Sequence, residues 1–255
     1  MDAEESQIFN AIIIAGLVLG MIIIFFVISV VKQQKKVVEM QRKNISAEVK
    51  ALENDRARIA RDIHDDIAPM LVAVKMRISS FDMEEPEEAE QVEQTNEVID
   101  DISKRLRAIS FDLMPSSLKY KGLQRALLEF AAHINRGKQI NLQMEVPDEA
   151  LEFDDQRVIH IYRIVQEIVQ NAIKHSGASE VYIKLEKRKK NLVLQTKDNG
   201  SGFDFEKAMK GSSGLGLRSM LNRIDLLRGS YNVESGEGKG TAYTIEIPTD
   251  DEPTI

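Results

Sequence analysis

The chain has 255 residues, 43% hydrophobic and 29% charged, with a formal net charge of −7. That leaves room for about two packed domains and excludes the overall basic footprint of a nucleic-acid-binding domain. With no cysteine, no tryptophan and four histidines, disulfide stapling, iron–sulfur clusters, thiol catalysis and cysteine-ligated zinc are excluded as well.

In chain order, residues 1–7 are acidic (Asp2, Glu4, Glu5), and residues 11–31 form an uncharged apolar stretch. At ~1.5 Å rise per residue such a helix reaches across a ~30 Å hydrocarbon core. A cleavable signal peptide is disfavoured by the acidic start and the bulky residues that end the stretch. Lys32, Lys35, Lys36, Arg42 and Lys43 follow. The positive-inside rule therefore predicts a transmembrane helix over 8–31, residues 1–7 outside, and the remainder in the cytoplasm.

Residues 32–56 continue as a coiled-coil linker into a hairpin over 57–116. Its first apolar seam is Ile45, Val49, Leu52, Ile59, Ile63, Ile67, Leu71, Val74, Ile78 and Phe81, with Arg56 in the one wide gap. Pro86 and six acids break the pattern over 82–90. A second seam, Val92, Thr95, Ile99, Ile102, Leu106, Ile109 and Leu113, runs to Pro115. Two such helices suit a four-helix bundle made by two chains, although a plain helical spacer would share the periodicity.

From 117 to 248 the pattern changes. Residues 122–136 and 154–175 read as helices, and 139–146, 180–188 and 191–198 as strands. A helix over 215–227 and strands near 231–234 and 241–247 complete the domain, before a tail at 249–255. The fold class expected is α plus α/β: one transmembrane helix, a dimerising helical hairpin, and an α/β sandwich with helices on one face of a mixed sheet.

Four clusters in this last domain carry chemistry. Glu167, Asn171 and His175 recur every fourth residue on one helix face, with Lys174 beside them. In DNGSG, Asp198 ends a strand, and Gly200 and Gly202 permit a tight turn. In SSGLGL, Gly214, Leu215 and Gly216 open a helix, where free amides suit phosphate. GEGKGT ends in Thr241. In the hairpin, His64 stands among Arg58, Arg61, Asp62, Asp65 and Asp66. Asp65 can accept the imidazole Nδ1 proton, leaving Nε2 as a nucleophile. Pro69 removes an i→i−4 bond and predicts a kink one turn beyond His64.

ExxxN, DNGSG, GLGL and GKGT in series resemble the ATP-binding domain shared by gyrase-type ATPases and sensor histidine kinases. YRIVQEIVQNAIKHSGAS and R-x-R-I-A-R-D-I-H-D resemble the class of two-component kinases paired with NarL/LuxR-type response regulators, over about residues 50–248. The resemblance implies ATP and Mg2+ as cofactors. Asp198 would bind the adenine amino group, Asn171 would ligate Mg2+, and Lys174 and His175 would lie near the phosphates. Gly200, Gly202, Gly214, Leu215, Gly216 and Thr241 would complete the pocket, under a lid over 203–213. It also implies His64 as phospho-acceptor and Asp65 as its acid–base group, with Glu167 as a second candidate base.

Further expectations are a bacterial inner-membrane homodimer, an aspartate of a NarL/LuxR-type regulator as acceptor, and no direct contact with nucleic acid. The signal would enter through the anchor, a membrane sensory partner or the coiled coil. No Walker-type P-loop is present. Members that dephosphorylate their regulator carry Gln where this chain has Pro69, so that route lacks its water-orienting group. A gyrase- or chaperone-type ATPase and a non-catalytic scaffold remain the competing classes.

Overall fold

The structure is a computed structural model that describes residues 3–81, 85–114, 118, 120–149, 151, 153–210 and 215–249, without the side chains of 3–15, 18, 42, 210 and 215. It divides into two units, Met1–Leu52 and Glu53–Ile255. The first is helical, part of α1 (Ala3–Asp62), and exposes Leu17, Met21 and Phe25. Among the described residues no helix is long and apolar enough to cross a membrane. The transmembrane helix expected over 8–31 is therefore not found there; the side chains of 8–15 and Val18 lie outside the described residues.

In the second unit, the end of α1 passes through a π-helical turn (Ile63–Ile67) into α2 (Ala68–Ser79), and α3 (Pro86–Leu113) returns. Lys75 to Asp100 (2.8 Å), Asn96 to Ser79 (3.1 Å) and the Ser110 hydroxyl to the Ala60 carbonyl (3.2 Å) pair rising numbers with falling ones, as an antiparallel hairpin requires. Pro86 opens α3 at its first turn, where a missing N–H costs nothing.

The kink expected beyond His64 takes a different form. Pro69 offers no N–H to the Asp65 carbonyl, and the chain widens one turn earlier, the Ala68 N–H donating to Ile63 O. His64 thus sits inside the irregular turn instead of ahead of it.

The α/β part follows as α4 (Gly122–Arg136), β1 (Asn141–Glu145), α5 (Asp155–Asn171), a second π-helical turn (Ala172–Ser176), β2 (Glu180–Arg188), β3 (Asn191–Asp198), α6 (Phe205–Lys210), α7 (Leu215–Leu226), β4 (Ser230–Ser235) and β5 (Thr241–Pro248). The sheet order is β1-β2-β3-β5-β4, with β1 and β2 parallel and every other pair antiparallel. Asp154 caps α5, its Oδ1 accepting from the N–H groups of Gln156 (2.9 Å) and Arg157 (3.0 Å).

The inward faces of α4, α5 and α7 pack on one side of the sheet in a single core, within which Phe130 meets Tyr162 edge-on at 5.8 Å. This is the expected sandwich, with helices on one face of a mixed sheet. Two details differ. The helix expected to run to His175 becomes π-helical at Ala172, and the expected lid over 203–213 contains the short α6. Gly214, Pro115 and the tail beyond Thr249 lie outside the described residues.

Candidate functional site

One face of α5 and its π extension carries His160, Arg163, Glu167, Asn171 and Lys174 at three- and four-residue steps. The stripe runs from buried (Arg163) through half-buried (Glu167, Asn171) to exposed (Lys174, His175). It therefore ends in open solvent with an amide and a cation, as a polyanion would require.

Against Glu167 lies Gly216 at the start of α7. A Cβ there would stand 2.0 Å from Glu167 Oε1, so glycine permits the close approach of the α7 N-terminus to the acid. Leu215 opens the same helix.

Asp198, 8% exposed, closes β3 and faces the helical layer as Leu194 does four residues earlier. Its Oδ1 accepts from the Gly200 N–H at 2.8 Å, and among the described hydrogen bonds Oδ2 has none. The surrounding loops are pinned to one another. Ser201 N–H donates to Ser176 O (2.8 Å), Gly238 N–H to Ser201 O (2.7 Å) and Phe203 N–H to Ser235 Oγ (2.9 Å). Thr241 is buried, with Oγ1 3.0 Å from Ser235 Oγ.

Two glycines are required by these contacts. Gly202 (φ +66°) lies so close to the Gly236 carbonyl, and Gly240 (φ +72°) to that of Asp198, that a Cβ would meet the oxygen at 2.0 and 2.1 Å respectively. The structure thus assembles Glu167 with Gly216 and α7, and Asp198, Gly200 and Gly202 with the Gly240–Thr241 turn.

His64 and Asp65 sit apart from these, both exposed in the hairpin's π-helical turn. Among the described residues no hydrogen bond joins them to each other or to the α/β part.

Other residues of the site went unread in the sequence. Asn199 Oδ1 accepts from the N–H groups of Ser179 (2.9 Å) and Glu180 (3.0 Å), tying the DNGSG loop to the start of β2. Tyr243 is buried on β5; burial first, then the nearby Asp198 and Glu167 carboxylates, push its phenol above the usual tyrosine range. Glu53 lies between Arg163 and Arg223, a cluster joined across distant segments that left no signal in the sequence.

Among the described residues no three His, Asp or Glu side chains gather as a metal cage. A phosphate-bridging Mg2+ needs only one or two protein oxygens beside phosphate and water. The half-buried Asn171 amide, one turn from Glu167, fits that donor set.

An α/β sandwich with these pinned glycine loops follows a histidine-bearing helical hairpin, and each of the two parts matches a known domain family. Residues 156–251 match the family model of histidine kinase-, DNA gyrase B- and HSP90-like ATPases, and residues 55–118 match the model described as histidine kinase. The chain thus carries a domain of each of these two families, the histidine kinase domain first.

A similar curated protein is the oxygen sensor histidine kinase NreB of Staphylococcus carnosus (strain TM300), 30% identical over 213 residues. The match covers 83% of this chain and 61% of that protein, so the chain spans about three-fifths of the length of that relative. Among solved structures, the histidine kinase domain of the blue-light-activated kinase of Erythrobacter litoralis EL346 is 19% identical with a TM-score of 0.47, covering 77% of this chain and 94% of that one. Acinetobacter baumannii histidine kinase AdeS is 20% identical with a TM-score of 0.43, covering 72% and 96%.

Proposed function

We propose that this chain is a membrane-anchored, homodimeric sensor histidine kinase that phosphorylates His64 from ATP and passes the phosphoryl group to an aspartate of a separate NarL/LuxR-type response regulator. The observation that carries this reading is the polar stripe of α5, which brings Glu167, Asn171 and Lys174 towards the helix end where the loop after Asp198 is pinned, the Ser201 N–H donating to Ser176 O at 2.8 Å. The anchor is supported by the uncharged stretch 11–31 and by exposed apolar side chains within it, such as Phe25 at 74%.

In this mechanism Asp198 receives the adenine amino group on its remaining oxygen. Gly200, Gly202, Gly214, Leu215, Gly216 and Thr241 shape the pocket, and Lys174 and His175 meet the phosphates. Asn171 would hold Mg2+, which supplies charge neutralisation on the phosphates when bound. His64 Nε2 forms the new N–P bond as the bond from the γ-phosphorus to its bridging oxygen breaks, releasing ADP. Asp65, the neighbouring residue, takes the Nδ1 proton after a side-chain rotation that brings the two together; Glu167 is the second candidate for that role. Phosphoryl transfer needs alignment more than covalent help, so the reaction depends on how the cleft is brought to the hairpin.

The test is incubation of the full chain in detergent with γ-labelled ATP and Mg2+, wild type beside His64→Gln. An acid-labile, base-stable label in wild type alone is expected. ATP binding without any label would sink the kinase reading, and label persisting in His64→Gln would move the acceptor elsewhere.

A further inference from the structure

Glu53 is 6% exposed, yet it is a carboxylate on a helix that otherwise shows water a charged face. Each of its oxygens has its own guanidinium. Oε2 accepts from Arg163 Nε (3.0 Å), with a second Arg163 nitrogen at 2.9 Å, and Oε1 accepts from Arg223 at 2.8 Å. Both arginines are at least 95% buried, and Arg56 stands 3.6 Å from the same carboxylate. Arg163 also donates to the carbonyls of Asp112 (3.1 Å) and Leu113, and Gln166 to that of Asp112 (3.1 Å). The last carbonyls of α3, the negative end of that helix, are thereby held by the same side chains.

Two helices of the hairpin are thus fastened to α5 and α7 of the α/β part at one buried point. Buried ion clusters contribute little net stability compared with apolar packing, but their geometry is specific, and removing one partner strands the others.

We infer that Glu53, Arg163 and Arg223 form a registration pin that fixes where the ATP-binding domain sits along the hairpin, making them positioning residues for phosphorylation of His64. The inference rests on the kinase reading above. Glu53 pairs with Arg163, while Arg56 and Glu167, each about one turn further along its own helix, line a common cavity of about 150 Å³. The end of α1 and α5 therefore advance in the same direction from the pin. His64 lies eleven residues beyond Glu53, and Asn171 eight beyond Arg163, which is about 16 and about 12 Å of helix rise. Acceptor and metal-side residue then stand about 4 Å apart in height when the pin is made. Sliding by one helical turn, about 5.4 Å, would change that offset by more than its own size, in a direction set by the slide.

The experiment compares the full wild-type chain, Glu53→Gln, and the charge-exchanged double variant Glu53→Arg with Arg223→Glu, reading the rate of His64 labelling and the ATP dissociation constant separately. Glu53→Gln is expected to label about tenfold more slowly or worse, as a misplacement of an ångström or more commonly costs, with ATP affinity within about twofold of wild type. The double variant, which keeps a carboxylate–guanidinium pair across the same contact, is expected to regain labelling. Equal or faster labelling by Glu53→Gln overturns the pin. Should Glu53→Gln also lose ATP binding, the double variant decides: recovery supports the pin, and no recovery overturns it. A wild-type chain that binds ATP without labelling fails the kinase reading instead.

Discussion

His160, one turn before Arg163 on α5, shows how a single side chain ties the ATP-binding domain to pH. It is half-buried, with Nδ1 3.3 Å from Arg223. Burial first and the Arg223 charge second hold its imidazole below the ordinary value of 6.5, against a smaller opposing pull from Glu53 and Asp154. The unfolded chain therefore takes up the proton at a higher pH than the folded one. Stability is complete above about pH 6.5 and falls as the pH drops through the folded value. The expected outcome is a loss of melting temperature between about pH 7.5 and about pH 5.5 that is smaller in His160→Gln than in wild type. Equal losses in thermal scans of both chains would show that other groups set the acid limit. Glycines act at this scale too: Gly240 and Gly202 hold positive φ angles where a Cβ would strike a carbonyl oxygen, so glycine spacing in the sequence marked contacts as well as turns.

At the scale of elements, the two π-helical turns fall on candidate site positions, one carrying His64 and the other Lys174 and His175. The first has a packing consequence. Exposed apolar residues on the outer side of the rising helix are Ile59, Ile67, Val74 and Phe81. Their spacing is seven residues except across the π turn, where it is eight. A π turn accommodates one extra residue, which keeps all four on one side of the hairpin. Pro69→Ala restores the missing amide and removes the reason for the wide turn, so an ordinary helix would swing His64 relative to this stripe. The expected result is slower His64 labelling, with ATP binding unchanged because the cleft lies on other elements. Labelling at the wild-type rate would show that Pro69 does not set the acceptor's orientation.

For the whole molecule, the exposed stripe on the rising helix is matched on α3 by Val98, Ile102 and Ile109, which are 58, 41 and 49% exposed. Apolar stripes on both helices of a hairpin suit a facing pair of helices, which the second copy in the proposed homodimer would supply. Replacing Val74 by Glu places a charge in the middle of the stripe. Light scattering on the detergent-solubilised chain should then shift from dimer to monomer, while ATP affinity stays within about twofold of wild type because the cleft is remote. A dimer of undiminished stability would mean that another surface joins the copies.

What could be read from the sequence was what neighbours within a few residues decide. The limits of β2 and β3 and the span of α4 follow from alternation, helical periodicity and turn residues, and they agree with the structure. The Glu167–Asn171 face and the Asp198 strand end were legible for the same reason: helix period and strand termination are local properties. The tertiary structure alone decided the rest. Glu53 meets Arg163 and Arg223 across 110 and 170 residues of chain, and nothing near Glu53 in sequence distinguishes it from a solvated helix charge. Tyr243 reaches Asp198 and Glu167 only because β5 lies beside β3. The irregular turn at His64 depends on how a helix lacking one amide settles against α3. Burial and long-range pairing balance desolvation against contacts that close only when distant segments meet, and local pattern carries no record of which segments those are.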